Sequence, residues 1–330
     1  MNRSIEPRVQ LQAQTSKPAI LRTAVNLAVF VLVAAFAVHI LLGQLQHISP
    51  ERFLAAAEAL PKWRIAASAA LTLTSFCALA SYDVIATRLV APGRVPTLVA
   101  AFAGAAGTAV SNTLGFHVLT GSAARYRIYR PWGLDMADIA RVISLSWAPL
   151  GLGFMAALAV ALVIEPPRAA GVHSDLFQIA GLFLLAILAI LLVWLARTRR
   201  TVGYGRFSLT FPAAPIIALE MAIAAIETAA TIGALYILIP QTIAPPFTIF
   251  AVAFIGSVLL GIVSHAPGGV GVFEAAMIAL FPTGHVELFA ALMLFRLIYN
   301  LAPFGIAVFG LGLFEMLKPV QINSKADSAG

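Results

Sequence analysis

The chain has 330 residues, of which 61% are apolar and only 11% charged, and its formal net charge is +7. Soluble domains average roughly 45–50% apolar and about 25% charged residues, so this composition excludes a soluble enzyme, a disordered chain and a disulfide scaffold. The basic residues fall in short stretches between apolar runs, which favours a membrane-topology signal over nucleic-acid binding. The sequence therefore predicts an all-α, polytopic integral membrane helix bundle.

A helix needs about 20 predominantly apolar residues to cross a bilayer. After a polar tail at residues 1–19, six runs meet this length: 20–43, 65–88, 136–164, 176–196, 212–238 and 286–317. No small-residue cleavage site follows the first run, so we expect an uncleaved anchor and not a signal peptide. The shorter stretch 49–60 predicts an interfacial helix. The expected organisation is one transmembrane domain over residues 20–318 between cytoplasmic tails at 1–19 and 319–330.

Two further apolar segments are ambiguous. Segment 96–131 is broken by glycines and Asn112, and segment 247–283 is interrupted by the turn 264–271, so each is either a full span with a loop or a re-entrant hairpin. Of the 21 Lys and Arg residues, Arg296 lies in a span, which leaves 20 to be placed. If both segments cross the membrane, giving eight full spans, 9 of these 20 lie on the cytoplasmic side. If both segments are re-entrant hairpins, 16 of the 20 lie there. The positive-inside rule therefore predicts six spans, two re-entrant hairpins and cytoplasmic termini.

In the re-entrant arrangement, the blocks 65–164 and 212–317 run through the membrane in opposite orientations. Many transporters use such inverted-topology repeats, with broken helices that meet near the bilayer midplane. The two blocks show no convincing residue identity, so the inverted repeat is a hypothesis from topology alone.

Ionisable side chains inside a bilayer are costly, and they face the bundle interior or a wet cavity. Asp83 is predicted either to bind a cationic group or a proton, or to pair with Arg88 or Arg94 near the end of its span. Glu220 and Glu227 lie seven residues apart, hence on one helix face about 10 Å apart along the axis.

Arg296 is the basic residue inside a predicted span, which makes it the natural partner of Glu227. This pair predicts either a structural lock between two spans or a functional group in a cavity. Without a cation beside it, Glu227 is expected to hold a proton.

The second ambiguous segment contains Gly268, Gly269 and Gly271, followed by Glu274 at the start of a predicted helix, 272–282. A glutamate in the first turn complements the helix dipole. Glycines also let backbone N–H groups converge, and a helix N-terminus attracts phosphate, so a phospholipid headgroup fits this turn as well. Both interpretations stay open.

Arg125 belongs to a basic stretch with Arg127 and Arg130, interleaved with Tyr126 and Tyr129. At the cytoplasmic surface such a stretch either binds anionic lipid headgroups or only determines topology. The sequence has no cluster with metal-ligand spacing, no Walker A lysine and no G-x-S-x-G motif. We therefore expect no metal, no cofactor and no enzymatic activity.

Four stretches, in this order, resemble the flippase-like domain of lysylphosphatidylglycerol synthases, a domain that also occurs as stand-alone inner-membrane proteins. They are Ser81-Tyr82-Asp83, residues 114–121 running into 125–129, residues 264–274, and residues 295–299 with Pro303. The resemblance covers about residues 20–318, and the turn 267–271 with the following Phe-Glu is its most specific part. It implies a bacterial-type inner-membrane location and movement of aminoacylated phosphatidylglycerol from the inner to the outer leaflet.

In two-part relatives, a second half makes that lipid from aminoacyl-tRNA. This chain stops at Gly330 after a short polar tail, so we expect the synthase half to be absent. Two positions depart from the family pattern: Glu227 stands where we expect an aspartate, and Ala266 stands where a larger aliphatic residue is common. The resemblance therefore does not transfer a substrate identity.

The sequence predicts translocation of an anionic or aminoacylated phospholipid, such as phosphatidylglycerol or its lysyl derivative. In this prediction Arg125 and the glycine-turn amides hold phosphate, Asp83 and Glu227 hold a cationic headgroup or a coupling proton, and Arg296 balances the acids. The alternatives are a proton-coupled small-solute transporter and a non-catalytic membrane subunit of a lipid or glycan pathway. Expected partners are phospholipid and a separate lipid synthase, without nucleic acid, and a homo-oligomer is left open. The full predicted substrate-binding set is Asp83, Arg125, Glu227, Gly268, Gly269, Gly271, Glu274 and Arg296.

Overall fold

A computed structural model of the chain describes residues 58–317 apart from 116, 167–173, 198–200, 205–206, 265–266 and 282–284, and also describes residues 51 and 55. All of these residues belong to a unit that spans Gln44–Gly330. The predicted first span 20–43, both predicted tails and most of the predicted interfacial helix lie outside the described residues.

The described residues form a helical bundle with one short β-hairpin. The hairpin follows the fourth long helix and pairs Thr201 with Thr210 in an antiparallel register, an element that the sequence analysis did not predict. The elements in chain order are α1 (Lys62–Val90), α2 (Thr97–Leu114), α3 (His117–Tyr129), α4 (Met136–Ile164), α5 (Ser174–Arg197), β1 (Thr201–Tyr204), β2 (Phe207–Thr210), α6 (Ala214–Tyr236), α7 (Phe247–Val263), α8 (Val272–Leu280), α9 (His285–Phe295), a π-helix (Arg296–Leu301) and α10 (Ala302–Leu317).

Proline and aspartate define several helix starts. Pro61, Pro96 and Pro246 directly precede α1, α2 and α7, since proline lacks the N–H that a helix start leaves unbonded. Asp135 caps α4, because its Oδ1 accepts the backbone N–H of Asp138 at 2.7 Å.

Six helices in the described part of the chain are long and apolar enough to cross a membrane: Lys62–Val90, Thr97–Leu114, Met136–Ile164, Ser174–Leu195, Ala214–Tyr236 and Val286–Met316. Five match predicted spans, and the remaining one, Thr97–Leu114, is α2. The bundle leaves many large apolar side chains exposed, most of all along α5, where Ile179, Phe183 and Ile190 face outward. The polytopic helical membrane fold is confirmed.

Helices α2 and α3 form an antiparallel hairpin that turns at Gly115, whose φ is +73°. The Tyr129 hydroxyl at the end of α3 lies 3.5 Å from the carbonyl oxygen of Ala100 near the start of α2. Arg94, just before α2, donates to the carbonyl of Gly133, just after α3, at 3.2 Å. The first hairpin therefore enters and leaves at one end of the bundle, as predicted for segment 96–131.

Helices α7 and α8 form a second antiparallel hairpin. The Phe254 and Phe273 rings lie 5.5 Å apart, and the Phe250 and Phe281 rings lie 6.2 Å apart nearer the hairpin ends. Both ends of this hairpin therefore lie at the same end of the bundle, as predicted for segment 247–283.

The second hairpin enters at the opposite end from the first. The Tyr236 hydroxyl at the end of α6 donates to the carbonyl of Pro245 just before α7 (2.9 Å), and Thr248 contacts Glu165 just after α4. Since α4 begins beside the first hairpin and ends beside the second, the two hairpins enter from opposite ends. The first helix of each hairpin also packs on the last helix of the other block, α2 on α10 and α7 on α4, which is the reciprocal contact of an inverted repeat.

Cysteine labelling checks this topology. In a Cys77→Ser background, Pro92→Cys and Pro131→Cys are expected to react with a membrane-impermeant thiol reagent from the same side, and Gln241→Cys from the other side. All three positions are exposed and lie outside the α-helices. Labelling of positions 92 and 131 from opposite sides would mean that α2 crosses the membrane completely.

Candidate functional site

The tips of the two hairpins meet beside the π-helix in the last span. The Asn300 side-chain amide donates to the carbonyl of Asn112 in the first tip (3.3 Å), and Thr113 Oγ1 donates to the carbonyl of Asn300 (3.2 Å). On the other side, Arg296 Nη1 donates to the carbonyl of Gly268 in the second tip (2.7 Å). One π-helix thus holds both tips inside the span, at the kind of helix irregularity that recurs at functional sites.

The second tip needs glycine to approach the first. Gly268 has φ +60°, and a Cβ placed there would lie 2.7 Å from the carbonyl oxygen of Thr113. Gly269 and Gly271 also have positive φ, +64° and +83°. The predicted glycine turn is therefore a close backbone-to-backbone contact between the two hairpins.

Arg296 pairs with Glu274, not with Glu227 as predicted. Arg296 Nε donates to Glu274 Oε1 at 2.7 Å, and the backbone N–H of Gly271 donates to Glu274 Oε2 at 2.8 Å. The guanidinium carbon also lies 5.6 Å from the centre of the Phe273 ring. Because the amide of Gly271 already bonds Glu274, it is not free for a phosphate in this conformation.

A second buried ion pair joins α1 to the first hairpin. Arg125 Nε and Nη2 donate to the two carboxylate oxygens of Asp83, each at 2.9 Å, and the Tyr129 hydroxyl donates to Asp83 Oδ1 at 2.8 Å. The side chains are 2% and 0% exposed, so the charges are removed from water. The predicted alternative partners of Asp83 contact other residues: Arg88 contacts Thr97, and Arg94 pairs with Asp138.

Small residues make room for this pair. A Cβ on Gly104 would lie 2.9 Å from Asp83 Oδ2, and a Cβ on Gly107 would lie 2.7 Å from Arg125 Nη1. On α3, a Cβ on Gly121 would lie 3.3 Å from the same nitrogen. The glycines of the ambiguous segment 96–131 therefore form a slot that admits a guanidinium–carboxylate pair between three helices.

The ion pair borders a small cleft of about 40 Å³. Two of the residues that line it, Arg125 and Tyr82, each have a buried polar atom, Nη1 and Oη, with no hydrogen-bond partner among the described residues. An unbonded buried donor is unfavourable by about 1–3 kcal/mol, so these atoms favour a polar ligand. The cleft is lined by Leu79, Tyr82, Asp83, Thr108, Ser111, Asn112, Arg125, Ser146, Trp147 and Leu150.

Glu227 lies in a cluster of hydroxyl groups. Thr231 Oγ1 and Ser75 Oγ lie 2.8 and 3.2 Å from Glu227 Oε1, and the Tyr299 hydroxyl lies 2.9 Å from Ser75 Oγ and 2.8 Å from Thr231 Oγ1. Glu227 is 1% exposed. It makes no ion pair within the described part of the chain.

The same face of α1 carries further polar residues at seven-residue intervals. Ser68 donates to the carbonyl of Ala234 on α6 (2.7 Å), Ser75 meets Glu227, and Tyr82 lies within electrostatic reach of Glu227 and Glu220. Glu220 is 6% exposed, and its Oε1 has no partner among the described residues. The α1–α6 interface thus carries a row of polar residues that ends at the cleft, which Tyr82 lines. We call this row the polar ladder; its members are Ser68, Ser75, Tyr82, Glu220 and Glu227.

The structure separates the predicted site residues into three groups. Asp83 and Arg125 lie at the cleft, Glu227 lies in the hydroxyl cluster, and the glycine turn with Glu274 and Arg296 holds the hairpin tips. No group of three or more His, Cys, Asp or Glu in the described ranges is placed to hold a metal ion.

Several functional residues were missed from the sequence, although each carried a signal. Tyr82 and Ser75 are polar residues seven apart in an apolar span, and Thr231 lies one helical turn after Glu227. Asn300 follows Arg296 by four residues, hence near the same face of a helix. Spacing of uncharged polar residues within predicted spans would have found them.

No family model matches the sequence. The chain is 28% identical over 281 residues to the uncharacterised protein slr0712 of Synechocystis sp. (strain ATCC 27184 / PCC 6803 / Kazusa), covering 84% of this chain and 87% of that protein. It is also 28% identical over 218 residues to the inner membrane protein YbhN of Escherichia coli (strain K12), covering 63% of this chain and 67% of YbhN. These likenesses agree with the helical architecture in indicating a membrane protein. The predicted likeness to the lysylphosphatidylglycerol synthase domain stays a prediction.

Proposed function

We propose that this chain moves a phospholipid with an anionic or aminoacylated headgroup, such as phosphatidylglycerol or its lysyl derivative, between the leaflets of a bacterial inner membrane. The observation that carries the proposal is the cleft beside Asp83 and Arg125. There a buried guanidinium keeps one nitrogen without a partner among the described residues. Guanidinium N–H groups suit phosphate oxygens in geometry and charge.

The cleft matches the chemistry of a headgroup. Asp83 neutralises most of the Arg125 charge, and Ser111, Asn112 and Ser146 add polar residues to the lining of the cleft. The acyl chains stay in the bilayer, so only the headgroup needs a path through the protein.

The two hairpins supply the moving parts of the proposed cycle. They enter from opposite ends and meet at the π-helix, which is the arrangement of broken helices in alternating-access transporters. In this proposal Arg296, Glu274 and the glycine turn close the contact between the tips. They hold the conformation and do not touch the lipid.

The inner-membrane location rests on the likeness to YbhN, and cytoplasmic termini rest on the positive-inside count. Translocation leaves every covalent bond of the lipid intact, so we propose no enzymatic step for this chain. A separate lipid synthase is the partner that an aminoacylated cargo requires.

A leaflet-exchange assay tests the proposal. Purified protein in liposomes with headgroup-labelled phosphatidylglycerol is expected to accelerate loss of fluorescence to an impermeant quencher. Arg125→Lys removes the forked donor geometry; a hydrogen bond to a charged group contributes about 1.5–3 kcal/mol, so we expect roughly ten- to hundredfold slower exchange. The control is Arg127→Lys, whose side chain is 42% exposed. Folded protein without acceleration, or equal rates for Arg125→Lys and the wild type, would contradict the proposal.

A proton-coupled small-solute transporter is the second candidate. It is favoured by Glu220 and Glu227, buried acids that make no ion pair among the described residues. Solute binding that persists in detergent without lipid, together with uptake into vesicles that depends on Arg125, would replace the lipid proposal with this one.

A further inference from the structure

Four oxygen atoms around Glu227 make more close contacts with one another than their hydroxyl hydrogens can bridge when the acid is ionised. They are Glu227 Oε1, Ser75 Oγ, Thr231 Oγ1 and Tyr299 Oη, and they make five contacts. The distances are 3.2 Å (Ser75–Glu227), 2.8 Å (Thr231–Glu227), 2.9 Å (Ser75–Thr231), 2.9 Å (Ser75–Tyr299) and 2.8 Å (Thr231–Tyr299). Four of these lie near the usual O–H···O distance of about 2.7–2.8 Å, which indicates that hydrogens link the oxygens.

An ionised Glu227 leaves two contacts without a hydrogen. Ser75, Thr231 and Tyr299 bring one hydroxyl hydrogen each, and a carboxylate brings none. If Ser75 and Thr231 both donate to Glu227, Tyr299 can bond only one of them. Two pairs of oxygens then face each other at 2.8–2.9 Å with lone pairs alone.

One added proton closes the cluster into a ring. Protonated Glu227 donates to Thr231, Thr231 donates to Tyr299, Tyr299 donates to Ser75, and Ser75 donates back to Glu227. Every oxygen then donates once and accepts once, and only the Ser75–Thr231 diagonal stays without a hydrogen. The neutral acid also avoids a buried charge without a counter-ion, which is strongly unfavourable.

No cation among the described residues faces Glu227 to compete with a proton. The titratable groups within electrostatic reach of Glu227 are Tyr82 on α1 and Tyr299 on the π-helix, and Glu220 lies two turns earlier on α6 itself. Helix α7 carries no titratable residue. On α4, Asp138 and Arg141 pair with each other within its first two turns. Arg296 on the π-helix bonds Glu274.

We infer that Glu227, Ser75, Thr231 and Tyr299 form a binding site for one proton, and that this proton is the coupling ion of the lipid transport. The second half of the inference rests on the proposed function. The polar ladder connects the site to the lipid: Tyr82 lies seven residues after Ser75 on α1, within electrostatic reach of Glu227 and Glu220, and also lines the cleft beside Arg125. Proton release requires the ring to open, and Tyr299 lies in the π-helix that holds both hairpin tips.

Infrared difference spectroscopy tests the proton site without any transport. Wild-type protein in lipid vesicles at neutral pH is expected to show the carbonyl stretch of a protonated carboxylic acid, which Glu227→Gln removes. Tyr299→Phe opens the ring and is expected to shift this band without removing it. Glu287→Gln is the control, because Glu287 is exposed. If Glu220→Gln removes the band and Glu227→Gln does not, the assignment is wrong.

A pH gradient tests the coupling. Leaflet exchange by the wild type is expected to speed up severalfold when a pH gradient is imposed across the liposome, and Glu227→Gln is expected to respond to no gradient. Exchange that ignores the gradient in the wild type overturns the coupling. A Glu227 carbonyl band in a protein that exchanges no lipid keeps the proton site and rejects lipid transport, so the two failures are distinguishable.

Discussion

Replacing Arg125 by methionine is expected to destabilise the protein by about 3–5 kcal/mol, because it leaves a buried carboxylate without its counter-ion. Asp83 is 0% exposed, and among the described residues two of the three hydrogen bonds that its carboxylate accepts come from Arg125. Replacing both partners together, Asp83→Leu with Arg125→Met, removes the charge and its counter-ion at once. Apolar replacement of a buried ion pair is often neutral or stabilising, so the double variant is expected to regain most of the lost stability.

The double variant separates structure from function. It is expected to unfold near the wild-type denaturant midpoint and still exchange no lipid, since no guanidinium remains at the cleft. Arg127→Met is the matched control: its partner Glu315 and Arg127 itself are 32% and 42% exposed, and an exposed ion pair contributes about 0–1 kcal/mol. A double variant that is stable and exchanges lipid at the wild-type rate would show that Arg125 only holds helices together.

Replacing Gly268 by alanine is the second large change that we expect. A non-glycine residue in the left-handed region is less stable by about 1–2 kcal/mol. The added Cβ would also lie 2.7 Å from the carbonyl oxygen of Thr113, a backbone atom that side-chain rotation cannot move. Forced overpacking adds about 1–3 kcal/mol, and the hairpin tips should separate.

Gly93→Ala is the matched control for Gly268→Ala. Gly93 has φ +74°, and a Cβ there would meet nothing within 4 Å. Alanine at position 93 therefore introduces the backbone strain without the steric contact. Unfolding in denaturant is expected to show a larger loss for Gly268→Ala by about 1–3 kcal/mol, the overpacking share. Equal losses for the two variants would mean that the tips do not need their close contact.

The two hairpins show what local sequence can predict. Positive charge between apolar runs indicated that segments 96–131 and 247–283 return to the side they enter, and the structure agrees, since Arg94 bonds Gly133 across the first hairpin. Span length and charge are properties of contiguous residues, so they can be read before any packing is known. The short hairpin β1–β2 was missed because a four-residue strand carries too little pattern.

The ion pairs show what the sequence could not predict. Arg296 was paired with Glu227 because both were ionisable residues in spans, and the structure pairs it with Glu274 instead. Arg88 and Arg94 were predicted as partners of Asp83 because they are close to it in sequence. In the structure Asp83 pairs with Arg125, 42 residues away. Sequence indicated that each charge needs a partner, but the partner depends on which helices are neighbours.

By itself, the sequence determined that the chain is a helical membrane protein, and it identified the residues too polar for lipid. It also determined which apolar segments of the described region return to the side they enter. Each of these follows from the transfer of contiguous side chains between water and hydrocarbon. Tertiary structure alone decided that the two tips meet at a π-helix, that three glycines admit the Asp83–Arg125 pair, and that Glu227 sits among hydroxyls. Those outcomes depend on distances of a few ångströms between residues far apart in the chain, which only packing sets.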